Sequence, residues 1–296
     1  MTGQWERFRA GEEFVQRNMR ILERSARRVL AVLYAGVFEP VEVPLGEALD
    51  VSPDASGRPR KLVVVPHGPL HQVPFQALFD GERYLLERFE ISYAPSARVF
   101  ALCQGKAARP PKNALVMSVS DDSIPAVAGE AGAVASRFPH AEVRSDEGAT
   151  LAALESGAAD RDVLHLACHG MFRSDNPMFS ALKLHDGWLT ANEAMRLDLD
   201  GALVTLSACE SGRHEVVGGD ETLGLTRAFL GAGAATLVVS LWLVQDEATG
   251  ELMESWYGHL RGGAERATAL RAAQLEIKER RPHPYYWAPF VLVGKR

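Results

Sequence analysis

Two short apolar runs of this chain each end in a reactive side chain, and they constrain its fold more than any other feature. Residues 163–168 (VLHLAC) precede His169 and Gly170, and residues 202–208 (ALVTLSA) precede Cys209. Each run has the length and composition of a buried strand in a parallel sheet. Because the carboxyl ends of the strands form the ligand crevice of an open α/β sheet, we expect His169 and Cys209 at one edge.

Predicted strands and helices alternate along most of the chain, which indicates an α/β fold with a mostly parallel sheet covered on both faces. Strands are predicted at 61–66, 84–93, 113–119, 142–144, 163–169, 181–184, 202–209, 235–241 and 290–293. Helices are predicted at 5–37, 70–78, 128–138, 150–155, 191–195, 221–230, 247–260 and 264–280. Two prolines near residue 110 mark a boundary, so we divide the chain into an N-terminal helix with a smaller α/β extension (1–110) and a main domain (111–296).

The N-terminal helix carries one apolar stripe with steps of three and four residues, which is typical of a helix packed on a domain. The stripe consists of Val15, Met19, Leu22, Ala26, Val29 and Leu33. Arginines lie largely off this stripe, but glutamates dilute them, so docking to a partner protein is favoured over lying on a membrane surface.

Composition and charge argue against several classes of protein. The chain has 296 residues, 47% of them hydrophobic, and a net charge of −6, so it can bury a sizeable core and is not expected to bind nucleic acid. Its three cysteines are an odd number without framework spacing, which indicates a reducing compartment. With no apolar leader and no apolar run long enough to span a bilayer, we expect a cytoplasmic protein without direct membrane contact.

An imidazole and a thiol at one sheet edge are the groups that a cysteine nucleophile and its base require. The thiolate of Cys209 would attack, and His169 would take the thiol proton. The backbone amides of Gly170 and Cys209 would point at the carbonyl oxygen of a bound peptide as an oxyanion hole. Each residue alone is more often structural, and the two together favour a functional site.

The two runs closely resemble the signature blocks of CHAT domains, which are bacterial caspase-like proteases of the clan that also holds caspases and separase. The blocks are HLACHG (165–170) and LSACESG (206–212). Further segments resemble the family in the same order: 64–70, 92–96, 129–131, 224–225, 232–234, 240–242, 269–271 and 283–284. The resemblance runs from about Lys61 to the C-terminus.

The resemblance implies a caspase-like three-layer sandwich with His169 and Cys209 as the catalytic dyad, and no metal or organic cofactor. It implies a cysteine endopeptidase that acts on a protein substrate through a thioester on Cys209. Many CHAT domains follow a tetratricopeptide array on the same chain, and none is visible here. A regulatory protein partner is therefore a hypothesis.

Other histidines and cysteines need separate interpretations. His165, Cys168 and His169 form a His-x-x-Cys-His pattern, but alternate strand residues face opposite sides and no second ligand cluster completes a zinc site. We expect Cys168 to pack as a small apolar group and His165 to be buried and hydrogen-bonded. His67 and His71 could neighbour the site, but a role on a surface loop is favoured.

Acidic residues near the predicted edge are candidates for substrate binding. A segment similar to 242–246 lines the pocket for a basic side chain in separase-like enzymes, so Asp246 is expected to pair with Lys or Arg before the cut. An equally good interpretation makes Asp246 an acid at the start of a helix. Glu210 and Asp220 could share the substrate-binding role.

Two alternatives to an endopeptidase remain open. One is a catalytically silent caspase-like scaffold that binds regulatory partners, and the other is an acyltransferase or amidase using the same thiol chemistry. An α/β-hydrolase and a phosphate-binding enzyme are disfavoured, since the sequence has neither a Gly-x-Ser-x-Gly elbow nor a P-loop.

Overall fold

The computed structural model describes residues 2–45, 57–107, 109–171, 173, 176–210, 220–242 and 246–296. For residues 2, 4, 9, 43–45, 208–210, 220–223 and 246 this description covers the backbone and not the side chain. Within these ranges, none of the helices combines the length and the hydropathy that a membrane span requires.

A single mixed sheet forms the middle layer. The strands described are β1 (Arg60–Val64), β2 (Phe89–Tyr93), β3 (Asn113–Ser118), β4 (His140–Ser145), β5 (Val163–Met171), β6 (Ala181–Lys183), β7 (Trp188–Thr190), β8 (Leu203–Glu210), β9 (Thr236–Ser240) and β10 (Phe290–Gly294). The main order is β1-β2-β10-β9-β8-β5-β3-β4, and the β6–β7 hairpin extends from the end of β5. Strands β4, β3, β5, β8 and β9 run parallel, and β10 turns the direction by pairing antiparallel with β9.

Helices cover the sheet. In chain order they are α1 (Thr2–Trp5), α2 (Glu12–Leu33), α3 (Glu39–Leu45), α4 (Leu85–Arg88), α5 (Ala97–Gly105), α6 (Val127–Ala135), α7 (Leu151–Gly157), α8 (Ala191–Ala194), α9 (Asp220–Gly231), α10 (Asp246–Arg261), α11 (Arg266–Arg280) and α12 (Pro284–Trp287). Short 3-10 segments follow α1 and precede α4, and a π-helical turn (Tyr34–Phe38) joins α2 to α3.

Alternate strand residues enter two separate cores, which makes the fold a three-layer sandwich. Leu164 and Leu166 of β5 pack with residues of α7, α8 and α9. Val163 faces the other side, where α2, α6, α10 and α11 lie. Because both faces of the central strands are covered, these strands are mostly apolar on both faces. The predicted α/β fold, with a mostly parallel sheet covered on both faces, is confirmed.

The N-terminal helix packs on the domain as predicted. Ala26 and Leu30 of α2 are buried in the core on the α10 side and Leu22 is also buried, while Val29 and Leu33 are only half-buried. The buried face is therefore rotated slightly from the predicted stripe. Helical structure extends past residue 37, through the π-helical turn and α3.

Capping signals were accurate, and two predictions near β1 were wrong. The hydroxyls of Thr150 and Thr190 cap α7 and α8 as expected. Residues 70–78 form two short 3-10 turns, because Pro74 cannot donate a helical hydrogen bond. The first half of the predicted strand 84–93 is the helix α4, which is held by a hydrogen bond from the amide of Tyr84 to Glu87.

The part of the chain before residue 110 contributes to the same sheet. β1 pairs in parallel with β2, and Tyr93 of β2 bridges to Val293 of β10. β1 lies at the sheet edge and is half-buried, whereas the sequence predicted a buried strand. The division of the chain at residue 110 stays a prediction.

Candidate active site

The strand register brings residues 169 and 209 side by side. β5 and β8 pair in parallel from Val163 opposite Leu203 to Gly170 opposite Glu210, and within this ladder His169 lies opposite Cys209. Neighbouring strands are about 4.8 Å apart, so the two backbones are direct neighbours at the carboxyl ends of the strands. The side chains of Cys209 and Glu210 lie outside the described part of the structure.

The imidazole of His169 contacts an acidic loop. Its side chain is 11% exposed, and Nε2 lies 2.7 Å from Oδ2 of Asp121. The hydroxyl oxygen of Ser123 lies 3.2 Å from the same nitrogen. A carboxylate and a hydroxyl therefore surround one ring nitrogen of the predicted catalytic base.

The loop after β3 folds around the carboxylate of Asp121. Its Oδ1 accepts hydrogen bonds from the amide of Ser123 at 2.8 Å, from the Ser123 hydroxyl at 2.6 Å and from the amide of Ile124 at 3.3 Å. Asp commonly closes turns in this way, through its own side chain. The amide of Val119 also donates to the carbonyl of Ala167 at 3.0 Å, which ties the start of the loop to β5.

These contacts determine which ring nitrogen of His169 carries the proton. The hydrogen bonds from Ser123, and next the contact with His169, lower the pKa of Asp121 to about 2, so the carboxylate is ionised and only accepts. Nε2 of His169 must then carry the hydrogen. In the neutral ring Nδ1 is left as an acceptor, and it is buried with no hydrogen-bond partner among the described residues.

The other predicted site residues lie at the same strand ends or at helix starts. Gly170 is buried and pairs with Glu210 of β8 and with Leu182 of β6. Asp220 begins α9 and Asp246 begins α10, and their side chains lie outside the described part of the structure. The roles assigned to these residues stay predictions.

His165 is fully buried and hydrogen-bonded, as predicted. Its Nε2 lies 3.0 Å from Oε1 of Glu130, and its Nδ1 lies 3.2 Å from the hydroxyl of Tyr257. Cys168 faces the opposite side of β5 and is buried in the apolar core of the α9 side. The described residues contain no group of three His, Cys, Asp or Glu side chains that could hold a metal ion.

His67 and His71 are the other two histidines that, by sequence, could neighbour the site. His67 is exposed, in agreement with the favoured loop interpretation. His71 lines a small cavity of about 50 Å³ whose wall is mostly apolar and includes Tyr93 and Val291.

Sequence reasoning missed Asp121. Strand 113–119 was predicted correctly, and the acids at 121 and 122 follow it directly, at the same type of strand end as His169 and Cys209. That position was the available signal, because the carboxyl ends of parallel strands meet at one edge. What the sequence did not reveal was that β3 lies next to β5.

Comparisons with known proteins identify the family and the fold of the chain. A family model described as CHAT domain matches residues 27–295. Tetratricopeptide repeat protein 28 of Homo sapiens is 28% identical over an alignment of 333 positions, and that of Mus musculus is 25% identical over one of 330. Each alignment covers 91% of this chain, and the chain spans only 13% of the length of these relatives.

Solved structures share the fold. The Saccharomyces cerevisiae separase–securin complex superposes with a TM-score of 0.58 at 14% identity, over 79% of this chain and 15% of that chain. The Arg specific cysteine proteinase gingipain R superposes with a TM-score of 0.58 at 10% identity, over 95% of this chain and 75% of that chain. At these identities the likeness concerns the fold.

Proposed function

Because the chain belongs to the CHAT domain family and has the fold of caspase-like cysteine proteases, we propose that it is a cysteine endopeptidase. One observation carries the proposal. His169 lies opposite Cys209 in the strand register. The carboxylate of Asp121 accepts the hydrogen of Nε2, which leaves Nδ1 of the neutral ring as the acceptor for a proton. A base that is oriented in this way is what a cysteine nucleophile requires.

The reaction uses each of these groups in turn. Nδ1 of His169 accepts the thiol proton of Cys209, and the thiolate attacks the carbonyl carbon of the peptide bond. The imidazolium then protonates the leaving amine, and a thioester remains on Cys209. Water hydrolyses the thioester with His169 again as base. Asp121 stabilises the imidazolium, and the amides of Gly170 and Cys209 bind the oxyanion.

The proposed substrate is a protein cut after a basic residue. Asp246 begins α10, six residues after the last residue of β9, and it would pair with a Lys or Arg side chain, with Glu210 and Asp220 as further acids. Gingipain R, which shares the fold, is described as Arg specific, and this supports the proposal. The alternative is that Asp246 only favours the helix start, where a carboxylate interacts well with the helix dipole.

A peptide library distinguishes these two roles of Asp246. Asp246→Ala should abolish the preference for Lys and Arg before the cut if the pairing is correct. Glu247→Gln is the matched control, since that neighbouring acid pairs with Arg281 on the protein surface. An unchanged preference in Asp246→Ala removes Asp246 from the substrate site.

Labelling with a peptidyl electrophile tests the proposed activity itself. The wild type and Cys103→Ala should be labelled at Cys209, while Cys209→Ala should not be labelled and His169→Ala should be labelled much more slowly. Cys103 is a suitable control because it is buried beside Gly294, at the edge of the sheet opposite the carboxyl ends of β5 and β8. Labelling that persists in Cys209→Ala, or that is absent from the wild type, refutes the endopeptidase.

A partner-binding scaffold without activity is the second candidate. The matched relatives are named for tetratricopeptide repeats, and the match occupies a small share of their length. This role predicts stable protein partners in a pull-down together with an unlabelled Cys209. A comparison of new protein termini in cells that carry the wild type or Cys209→Ala identifies substrates of an active enzyme. A cytoplasmic location and a bacterial origin stay predictions.

A further inference from the structure

A buried polar network lies below the proposed site, at residues that the reaction does not use. The carboxylate of Glu130, the imidazole of His165 and the hydroxyls of Tyr257 and Thr205 follow one another at 3.0, 3.2 and 2.7 Å. The side chain of His165 is fully buried and that of Glu130 is 4% exposed. Buried ionisable groups are costly unless they are paired, so the network has one favourable arrangement.

Each hydrogen in this network has an acceptor. With an ionised Glu130 and a neutral His165, Nε2–H of His165 donates to Glu130, the hydroxyl of Tyr257 donates to Nδ1 of His165, and the hydroxyl of Thr205 donates to the oxygen of Tyr257. Burial raises the pKa of Tyr257, so its hydroxyl keeps its proton. A fully connected buried network specifies the relative position of the elements that it joins.

The network joins both strands of the proposed site to two helices. His165 and Thr205 lie opposite each other on β5 and β8, four residues before the pair of His169 and Cys209. Glu130 belongs to the first turn of α6, and Tyr257 belongs to α10. Glu130 is also part of the segment 129–131 that resembles the family, and the proposed reaction gives it no role.

The segment from the acidic loop into α6 runs beside β5 and contacts every second residue of that strand. Asp121 contacts His169 at the end of the strand. Ile124 and Val127 pack on Ala167, two residues earlier. Glu130 contacts His165, two residues earlier again. These three residues of β5 share one face, because strand residues alternate in direction.

We infer that Glu130 is a positioning residue that sets Asp121 against His169. Its buried contact with His165 holds α6 at one position along β5, and the loop before α6 then places the carboxylate of Asp121 on Nε2. This inference rests on the role of His169 in the proposed function. Glu130 itself does not touch the reacting atoms.

The test compares Glu130→Gln with the wild type in the full chain. The amide keeps the shape of the side chain but loses the charge-assisted hydrogen bond to His165. The ¹⁵N resonances of the His169 ring should change from one fixed tautomer to a mixture. Alkylation of Cys209 by iodoacetamide should slow about threefold to tenfold.

A double-mutant cycle isolates the positioning effect. In the Asp121→Ala background, Glu130→Gln should change the alkylation rate by less than about twofold, because the contact that it positions is already absent. Glu254→Gln is the matched control: it makes the same change on the surface of α10, where Glu254 pairs with Arg137 just after α6. This control should leave the His169 resonances unchanged.

Two results overturn the inference. The first is a Glu130→Gln variant that is less stable but has wild-type His169 resonances and alkylation rate. The second is a Glu130→Gln substitution that slows alkylation by the same factor with and without Asp121→Ala. If Glu130→Gln does not fold, Glu130→Asp, which keeps the charge and shortens the reach, is subjected to the same comparison. If the wild type cleaves no peptide, the endopeptidase proposal fails while the His169 resonances still decide the role of Glu130.

Discussion

Asp121→Asn is expected to damage the site more than Asp121→Ala, because the two carboxylate oxygens face different groups. Oδ1 accepts from the amide and the hydroxyl of Ser123, and Oδ2 faces Nε2 of His169. In the Asp121→Asn variant the carbonyl oxygen of the new side chain must stay with the Ser123 donors, so its amide nitrogen replaces Oδ2. That nitrogen then donates to Nε2 and moves the ring proton to Nδ1, where the thiol proton should be accepted.

The size of the effect follows from charge and exposure. Two unit charges about 4 Å apart interact by about 1 kcal/mol in water and about 4 kcal/mol at an effective dielectric constant of 20. The side chain of Asp121 is 52% exposed, so solvent screening restricts the loss in Asp121→Ala to about 1–2 kcal/mol. That corresponds to a rate reduced roughly 5-fold to 30-fold. The misplaced proton in Asp121→Asn adds about 1 kcal/mol, or roughly another fivefold.

Alkylation of Cys209 at pH 7, followed by mass spectrometry, measures these rates without a known substrate. Asp122→Asn is the control, since it makes the same charge change at the next exposed residue. The ¹⁵N resonances of His169 report the tautomer directly. An Asp121→Asn variant that reacts as fast as Asp121→Ala refutes the assignment of the proton to Nε2, and wild-type rates in both variants remove Asp121 from the site.

Two further predictions concern stability. Burial lowers the pKa of His283 from 6.5 to about 4, so the folded chain binds fewer protons than the unfolded chain, and roughly 3 kcal/mol should be lost as the pH falls from 6.5 to 4. His283→Asn, which can still accept from the amide of Tyr285, should flatten the pH dependence of urea unfolding in this window; a curve as steep as that of the wild type contradicts it. In α9, the methyl group of Gly224→Ala would overlap the carbonyl of Pro177, so this variant should lower the free energy of unfolding by about 1–3 kcal/mol. Gly231→Ala, with its nearest neighbour the Met195 methyl group at 3.7 Å, should have little effect, and equal melting temperatures of the two variants would show that α9 can shift.

Features that depend on nearby residues could be predicted from the sequence alone. Apolar runs that end at glycine-containing turns predicted β5 and β8 and the positions of His169 and Cys209 at their ends. Side-chain caps at Thr150 and Thr190 predicted two helix starts. These signals are readable because strand periodicity and helix capping are energies of a few consecutive residues. They failed at residues 84–88, where the buried ring of Tyr84 packs edge-to-face against Trp287 and a helical turn follows.

Which strand ends and helices meet is visible only in the folded chain. The chain runs from β3 through β4 before it reaches β5, yet β3 is the direct neighbour of β5, and this order brings Asp121 to His169. Likewise, His165 was predicted to be buried and hydrogen-bonded, but its partners Glu130 and Tyr257 are 35 and 92 residues away. Pairing over such separations depends on the packing of the whole sheet and its helices, and no local pattern encodes it.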